Sequence, residues 1–313
     1  MTGFEDFLAG AVRLSAPIIL AALGEVIVQR SGVINIGIEG TMLAGAFFGF
    51  LVAFHTGNPV LGVGAAILAG AVIGMVFALF TVIQKANQIV VGTGLNIAML
   101  GLTGVLLRGA FEADSRLSVQ ALGNWVWPVL SSLPLIGKAL FSQSVLVYIS
   151  GAVAIGLWVF LRSRYGLGLR ACGSNPEAAD AAGVKVDTTR FCAVVFGAAL
   201  AGMAGAYLSL VQTNTFSENM TSGRGFIALA VVIFGRWSPL GVVAASLIFG
   251  LANQAQFWMQ ARGSSLELFG ISAQVPYQLF LALPYVVTLI VLAFFAGKYR
   301  GPSAIGKPYV RSS

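Results

Sequence analysis

Nine apolar windows divide this chain, at about 7–28, 33–54, 59–84, 88–108, 142–161, 190–212, 225–236, 239–260 and 275–297, and most are long enough to cross a hydrocarbon core about 30 Å thick. In lipid such a run can satisfy its backbone N–H and C=O groups only as a helix or within a closed barrel. Uninterrupted apolar runs, with no strict alternation, select the helix. Only 9% of the 313 residues are charged and 58% are hydrophobic, against roughly 25% charged in soluble domains. The expected fold is therefore an all-α, polytopic transmembrane helix bundle of about nine spans, within a range of eight to ten. It forms a single transmembrane domain over residues 1–313. The seventh window is the exception: as a helix, Phe226 to Phe234 reaches only about 14 Å. The segment near 225–240 is read as broken or re-entrant.

Lys and Arg orient the spans. Arg162, Arg164, Arg170, Lys185 and Arg190 follow the fifth window, and Lys298, Arg300, Lys307 and Arg311 follow the ninth, so both segments are placed in the cytoplasm. With Arg236 in an inner turn, nine crossings put the N-terminus outside and the C-terminus in the cytoplasm. The formal charge of +7 then divides by side, with 12 basic and 3 acidic residues inside and 5 basic and 6 acidic residues outside. No basic stripe interleaved with aromatics is present, so the charge reads as orientation and not as nucleic-acid binding. The long outer segment from Arg108 to Phe141 carries Trp125 and Trp127, residues suited to the membrane interface.

Small counts exclude other chemistry. Two cysteines, Cys172 and Cys192, and one histidine, His55, cannot build a zinc or haem site, and no metal centre is expected. Both cysteines read as small apolar fillers, without a disulfide. The acidic start, Glu5 and Asp6, is unlike a cleaved signal. No Gly-x-x-x-x-Gly-Lys-Ser/Thr loop occurs, so ATP hydrolysis is expected elsewhere, with no cofactor in this chain. The 39 glycines include small-xxx-small pairs at Gly45/Gly49, Gly70/Gly74 and Gly197/Ala201, which favour close helix packing. The Gly/Ala-rich stretches Gly62–Phe80 and Gly197–Leu210 are also similar enough to suggest related halves.

The cytoplasmic loop, 162–189, is the most informative stretch. Asn175 can accept from free N–H groups at a helix start, Pro176 suits the first helical position, Glu177 and Asp180 favour the positive helix end, and Gly183 can terminate the helix in a left-handed conformation. Alanines at 178, 179, 181 and 182 give the helix a surface of little bulk, able to lie close in a partner's groove. A plain connector between spans would need neither feature.

Glu177-Ala178-Ala179 followed by Gly183 resembles the EAA loop of ABC importer permeases, the helix that docks into the ATP-binding subunit. Leu169-Arg170-Ala171 and Gly173-Ser174-Asn175-Pro176 resemble the permeases for branched-chain amino acids, ribose-type sugars and nucleosides. Three further blocks, Arg30 to Gly40, Asn87 to Asn96, and Gly223 to Ala230 with Phe234-Gly235 and Pro239-Leu240-Gly241, are similar to the nucleoside or "simple sugar" branch. Together they run from about residue 30 to 250. The resemblance implies coupling through Arg170, Gly173, Asn175, Pro176, Glu177, Ala178, Ala179 and Gly183. It also implies an ATP-binding cassette subunit that binds ATP and Mg, a second, paralogous permease chain, and a periplasmic or lipoprotein substrate-binding protein, in a bacterial plasma membrane. The segment after Gly183 lacks the Leu-Pro ending of many other importers.

Polar groups in spans are candidates for the substrate pathway, since burial in lipid costs a charged side chain about 3 kcal/mol or more. Arg13, Glu25 and Glu39 are the ionisable ones. Glu25 is read as an anchor pairing with Arg30. Glu39, four residues from Asn35, is read either as a ligand contact or as a structural partner of Arg13. Thr93 and Asn96 on the fourth window, and Gln212 and Asn214 at the outer end of the sixth, complete the set, with helix glue and solvated loop polarity as their alternatives. The expected function is a non-catalytic permease subunit importing nucleosides or related purine and sugar compounds by alternating access. An ion-coupled secondary transporter using Glu39 and Arg13 is the alternative; a scaffold leaves the capped helix without a task, and a membrane hydrolase lacks a nucleophile motif.

Overall fold

The computed structural model describes residues 2–111, 118–133, 137–261, 265–268, 271–274 and 301–310, with single positions between 282 and 293. Four long helices come first: α1 (Thr2–Arg30), α2 (Ile38–Thr56), α3 (Pro59–Ala78) and α4 (Gln88–Ala110). The segment between α4 and α6 contributes β1 (Asn124–Val126), α5 (Gly137–Phe141) and β2 (Ser142–Ser144), the two strands pairing antiparallel with Asn124 opposite Ser144. Then follow α6 (Val145–Arg162), α7 (Arg164–Ser174), α8 (Pro176–Ala181), α9 (Val186–Tyr207), α10 (Arg224–Phe234) and α11 (Pro239–Ala261). A second antiparallel pair, β3 (Ser265–Leu268) and β4 (Ile271–Gln274), ends this order.

Among the described residues, seven helices are long and apolar enough to cross a membrane: α1, α2, α3, α4, α6, α9 and α11. They coincide with the first six apolar windows and the eighth. The chain is an all-α, multi-pass bundle. The seventh window is α10, whose 11 residues reach about 16 Å, half of a bilayer core. The ninth window lies almost wholly outside the described residues.

Local chemistry sets the helix starts. Asn58 Oδ1 accepts from Val60 N at 2.9 Å ahead of Pro59, and Asn87 Oδ1 accepts from Ile89 N and Val90 N at 2.9 and 3.2 Å. Each cap satisfies donors that a helix start otherwise leaves without an intrahelical partner. At the other end of α2, Gly57 takes φ +66°, which turns the chain directly into α3.

Packing depends on residues that lack bulk. Helix α9 lies against α1, α2 and α3, and α1 and α9 are buried along most of their length, whereas α4 is largely exposed. A Cβ on Gly202 of α9 would collide with the Ala66 carbonyl of α3, one on Gly45 of α2 with the Gly202 carbonyl, and one on Gly205 with the Met42 carbonyl. Gly70 is pressed likewise against Ala198, and Gly197 against Gly24. The small-xxx-small pairs are therefore packing contacts. Both Gly/Ala-rich stretches lie in this seam, and each of their helices runs on into a five-residue π turn, Leu79–Ile83 after α3 and Leu208–Gln212 after α9.

Because the obstacle at Gly202 is backbone and cannot rotate away, Gly202→Val is expected to cost at least about 1–3 kcal/mol. A lowered melting midpoint of the detergent-solubilised protein measures it. Gly156→Ala, where an added Cβ meets nothing within 4 Å, should leave that midpoint unchanged or raise it.

Candidate functional site

The loop 162–189 folds as two helices, not one. Helix α7 continues from α6 after a break at Ser163, whose Oγ accepts from Gly166 N, and α8 starts afresh at Asn175. Asn175 Oδ1 accepts from Ala178 N at 3.1 Å, Pro176 takes the first helical position, and Gly183 takes φ +84°. The expected caps are thus present around a helix of six residues. Glu177 and Ala178 are exposed. Ala179 corrects the reading of an all-alanine docking surface: it is 2% exposed and packs inward with Cys172, Val186 and Tyr309. Burial also raises the Cys172 thiol above its ordinary range, against the opposing charge of Arg190, so it stays protonated.

The loop is bolted to the spans. A Cβ on Gly173 would collide with the Arg30 carbonyl at the end of α1. Arg190 of α9, 2% exposed, donates from Nε to Ser31 O at 3.0 Å, from one terminal nitrogen to Cys172 O at 3.1 Å and from the other to Lys307 O at 3.0 Å. It joins the α1–α2 connector, α7 and the chain's last described segment. That segment adds its own bonds, from Ala304 N to Gly173 O at 2.9 Å and from Gly306 N to Gly32 O at 3.0 Å. Lys85 Nζ meets Asp187 Oδ1 at 2.6 Å, tying the α3–α4 connector to the start of α9. Arg170 stays partly exposed, its Nε directed at Gly166 O 3.4 Å away.

The predicted pathway residues separate into distinct places. Glu39 is 8% exposed, and its two carboxylate oxygens accept from Gly223 N at 2.7 Å and Gly225 N at 2.6 Å. It caps the start of α10 from another helix. Arg13 is elsewhere, donating from Nε to Gln143 Oε1 at 3.1 Å, so the expected Glu39–Arg13 pair does not form. Nor does Glu25 pair with Arg30. Glu25 Oε1 accepts from Gln29 Nε2 at 3.1 Å and Asn35 N at 3.0 Å, while Arg30 Nε donates to Trp237 O at 2.9 Å. Asn35 lies in the connector before α2, so it shares no helix face with Glu39; its Oδ1 is buried without a partner among the described residues.

Asn96 acts between helices, accepting from Gly40 N at 2.8 Å and donating to Ile36 O at 2.9 Å. Thr93 is exposed and donates back to Ile89 O. Asn214 takes φ +56°, with its carbonyl accepting from Val119 N at 3.0 Å. Gln212 alone of the six lines a polar cavity, together with Arg13, Asn124, Ser144, Tyr207 and Gln254. Sequence reasoning singled out Arg13 as an ionisable group in a span, to be paired with Glu39, and missed the other four. The available signal was the run of neutral amides inside an apolar window, Asn253, Gln254 and Gln256.

Since each Glu39 oxygen accepts a buried backbone N–H, Glu39→Gln replaces one charge-assisted acceptor with a competing donor. A loss of about 1.5–3 kcal/mol is expected, read as a lower melting midpoint and as faster hydrogen exchange confined to the first turn of α10.

Residues 7–292 match the family described as branched-chain amino acid transport system / permease component. The nucleoside ABC transporter permease protein NupC of Lactococcus lactis is 36% identical, covering 98% of each chain. The guanosine ABC transporter permease protein NupQ of Bacillus subtilis is 33% identical, over 95% of this chain and 94% of its own. The putative glucose ABC transporter permease protein TsgC13 of Haloferax volcanii is 35% identical, over 99% of each. No solved structure matches the chain. With nearly its whole length matched, the chain belongs to the branched-chain amino acid transport system permease family.

Proposed function

We propose that the chain is the non-catalytic permease subunit of an ATP-driven importer in a bacterial plasma membrane, taking up nucleosides or closely related compounds by alternating access. The observation that carries this reading is the end-to-end likeness to permeases named for nucleosides and guanosine. Its proposed partners are an ATP-binding cassette subunit that holds ATP and Mg, a second, paralogous permease chain, and a periplasmic or lipoprotein binding protein. The likeness to a glucose permease supports a simple sugar as the second reading.

The geometry supports a definite division of labour. Exposed Glu177 and Ala178 on α8 offer the surface for the ATPase, while Ala179 and Gly173 face inward. A push on α8 passes through Arg190, which holds α7, the α1–α2 connector and the chain's end together. That connector contacts α4 through Ile34 N to Gln88 Oε1 at 2.8 Å, and α2 holds the start of α10 through Glu39. Movement at the loop thereby reaches four spans. Two discrete packings of these helices, biased by ATP, would open the pathway alternately.

Reversing the charge and bulk of the exposed face, in Glu177→Lys with Ala178→Asp, is expected to abolish uptake while membrane abundance and melting stay unchanged. Wild-type uptake in that variant would overturn the coupling role. The substrate is tested in proteoliposomes holding the complete complex and its binding protein: stimulation of ATP hydrolysis by guanosine is the expected result, and stimulation by glucose or leucine alone overturns it. Uptake that collapses with a protonophore and proceeds without an ATPase subunit would instead establish ion coupling.

A further inference from the structure

At the end of the bundle opposite α8, a cavity of about 400 Å³ opens between α1, the β1 segment, the start of α6, the π turn after α9, and α11. This volume falls within the roughly 300–1,000 Å³ typical of small-molecule sites. Its polar side chains are Arg13, Asn124, Ser144, Tyr207, Gln212 and Gln254, with aliphatic groups between them.

Four features mark it as built for a ligand. Arg13 is braced from behind. Its Nε donates to Gln143 Oε1 at 3.1 Å, and Gln143 is wholly buried, its amide nitrogen donating to Ala139 O at 2.9 Å and Lys138 O at 3.2 Å. The terminal guanidinium nitrogens meet no acceptor among the described residues, leaving a fixed pair of parallel donors at the cavity. Ser144 lines the same space at 1% exposure, and its Oγ has no partner among the described residues. An unpaired buried hydroxyl costs about 1–3 kcal/mol unless something bonds it. Gln254 crowds Gly10, where a Cβ would collide with its amide, so the bare glycine backbone leaves that amide its place at the wall. The π turn Leu208–Gln212 directs Gln212 to the same cavity, as such turns often do at functional sites.

The chemistry of the wall selects among solutes. Among the described residues no carboxylate lines the cavity, so the ammonium of an amino acid would find no counter-charge there. A guanidinium with Nε already engaged presents two parallel N–H groups, which match an edge carrying two adjacent acceptors. In a 6-oxopurine these are O6 and N7, the pairing arginine makes with guanine in nucleic acids. The glutamine amides offer both donors and acceptors to the N1–H and amino edge or to ribose hydroxyls.

Resting on the reading of the chain as a nucleoside permease, we infer that this cavity is a binding site for 6-oxopurine nucleosides, with the O6/N7 edge on Arg13 and a hydroxyl or amino group on Ser144. It is a site within one permease chain, on the side where substrate is delivered.

The test is equilibrium binding of tritiated guanosine to the permease–ATPase complex in nanodiscs, without the binding protein, in competition with inosine, adenosine and 7-deazaguanosine, which lacks the N7 acceptor. Guanosine and inosine are expected to compete about tenfold or more better than 7-deazaguanosine or adenosine, in line with the discrimination of a bidentate contact. Arg13→Gln should erase that preference, and Gln254→Ala should weaken guanosine severalfold with the N7 preference kept. Unchanged affinity and preference in both variants, or no guanosine binding by a wild-type complex whose proteoliposomes import guanosine, overturns the site. Proteoliposomes that import only glucose or leucine overturn the reading beneath it. Should Arg13→Gln lower the melting midpoint, Ser144→Ala, which removes only an unpaired hydroxyl, serves in its place: guanosine should weaken severalfold with the N7 preference kept, and unchanged affinity overturns the site.

Discussion

The close approach of α9 to α1, α2 and α3 is the contact on which the rest of the structure depends. Lipid supplies no hydrophobic drive to press one apolar helix against another, so association rests on van der Waals contact, and that falls away within an ångström of separation. Glycines at 24, 45, 70, 197, 202 and 205 bring backbone against backbone. Around that seam the peripheral helices are arranged by what remains exposed. Helix α4 touches the core chiefly through α2, with the Asn96 amide holding the Gly40 and Ile36 backbone.

Once the spans are packed, the irregular backbone between them must find partners in place of water. The structure solves this with side chains from distant parts of the sequence. Glu39 receives free N–H groups at the start of α10 from another helix. Glu25 receives the Asn35 N–H, and Gln29 links Glu25 to the Trp237 indole, whose Nε1 donates to Gln29 Oε1 at 2.7 Å. Carboxylates that look like a relay in a linear sequence are thus engaged by backbone and amides. Arg190 plays the matching part at the end that carries α8, where one guanidinium accounts for three carbonyls. A hydrogen-bonded junction thus lies at one end of the bundle and a polar cavity at the other.

How much of this was legible depended on range. The cap at Asn175 and the left-handed Gly183 rest on chemistry local to one short helix, and they stand where the sequence pattern places them. The half-length of α10 was legible too, because helix rise is constant. Partnerships across the chain were not. Arg13 could have met any acidic group at its depth, and its actual acceptor, Gln143, lies 130 positions away and carries no charge to advertise it. Ala179 looked like its neighbours at 178 and 181, yet a six-residue helix turns one of its alanines inward.

By itself the sequence determined the membrane, the helices, their starts and stops, and the family, because lipid leaves an apolar run one backbone solution and because caps and motifs are local. The tertiary structure decided which glycines meet, which polar groups are already occupied as caps and bolts, and which remain free at a cavity wall. Those questions turn on distances between segments more than a hundred residues apart, set by helix packing angles and not written in any single window. Glu39, the most suggestive residue in the sequence, is engaged at the head of a half-length helix. The Ser144 hydroxyl, beside Arg13 at the polar cavity, has no partner among the described residues.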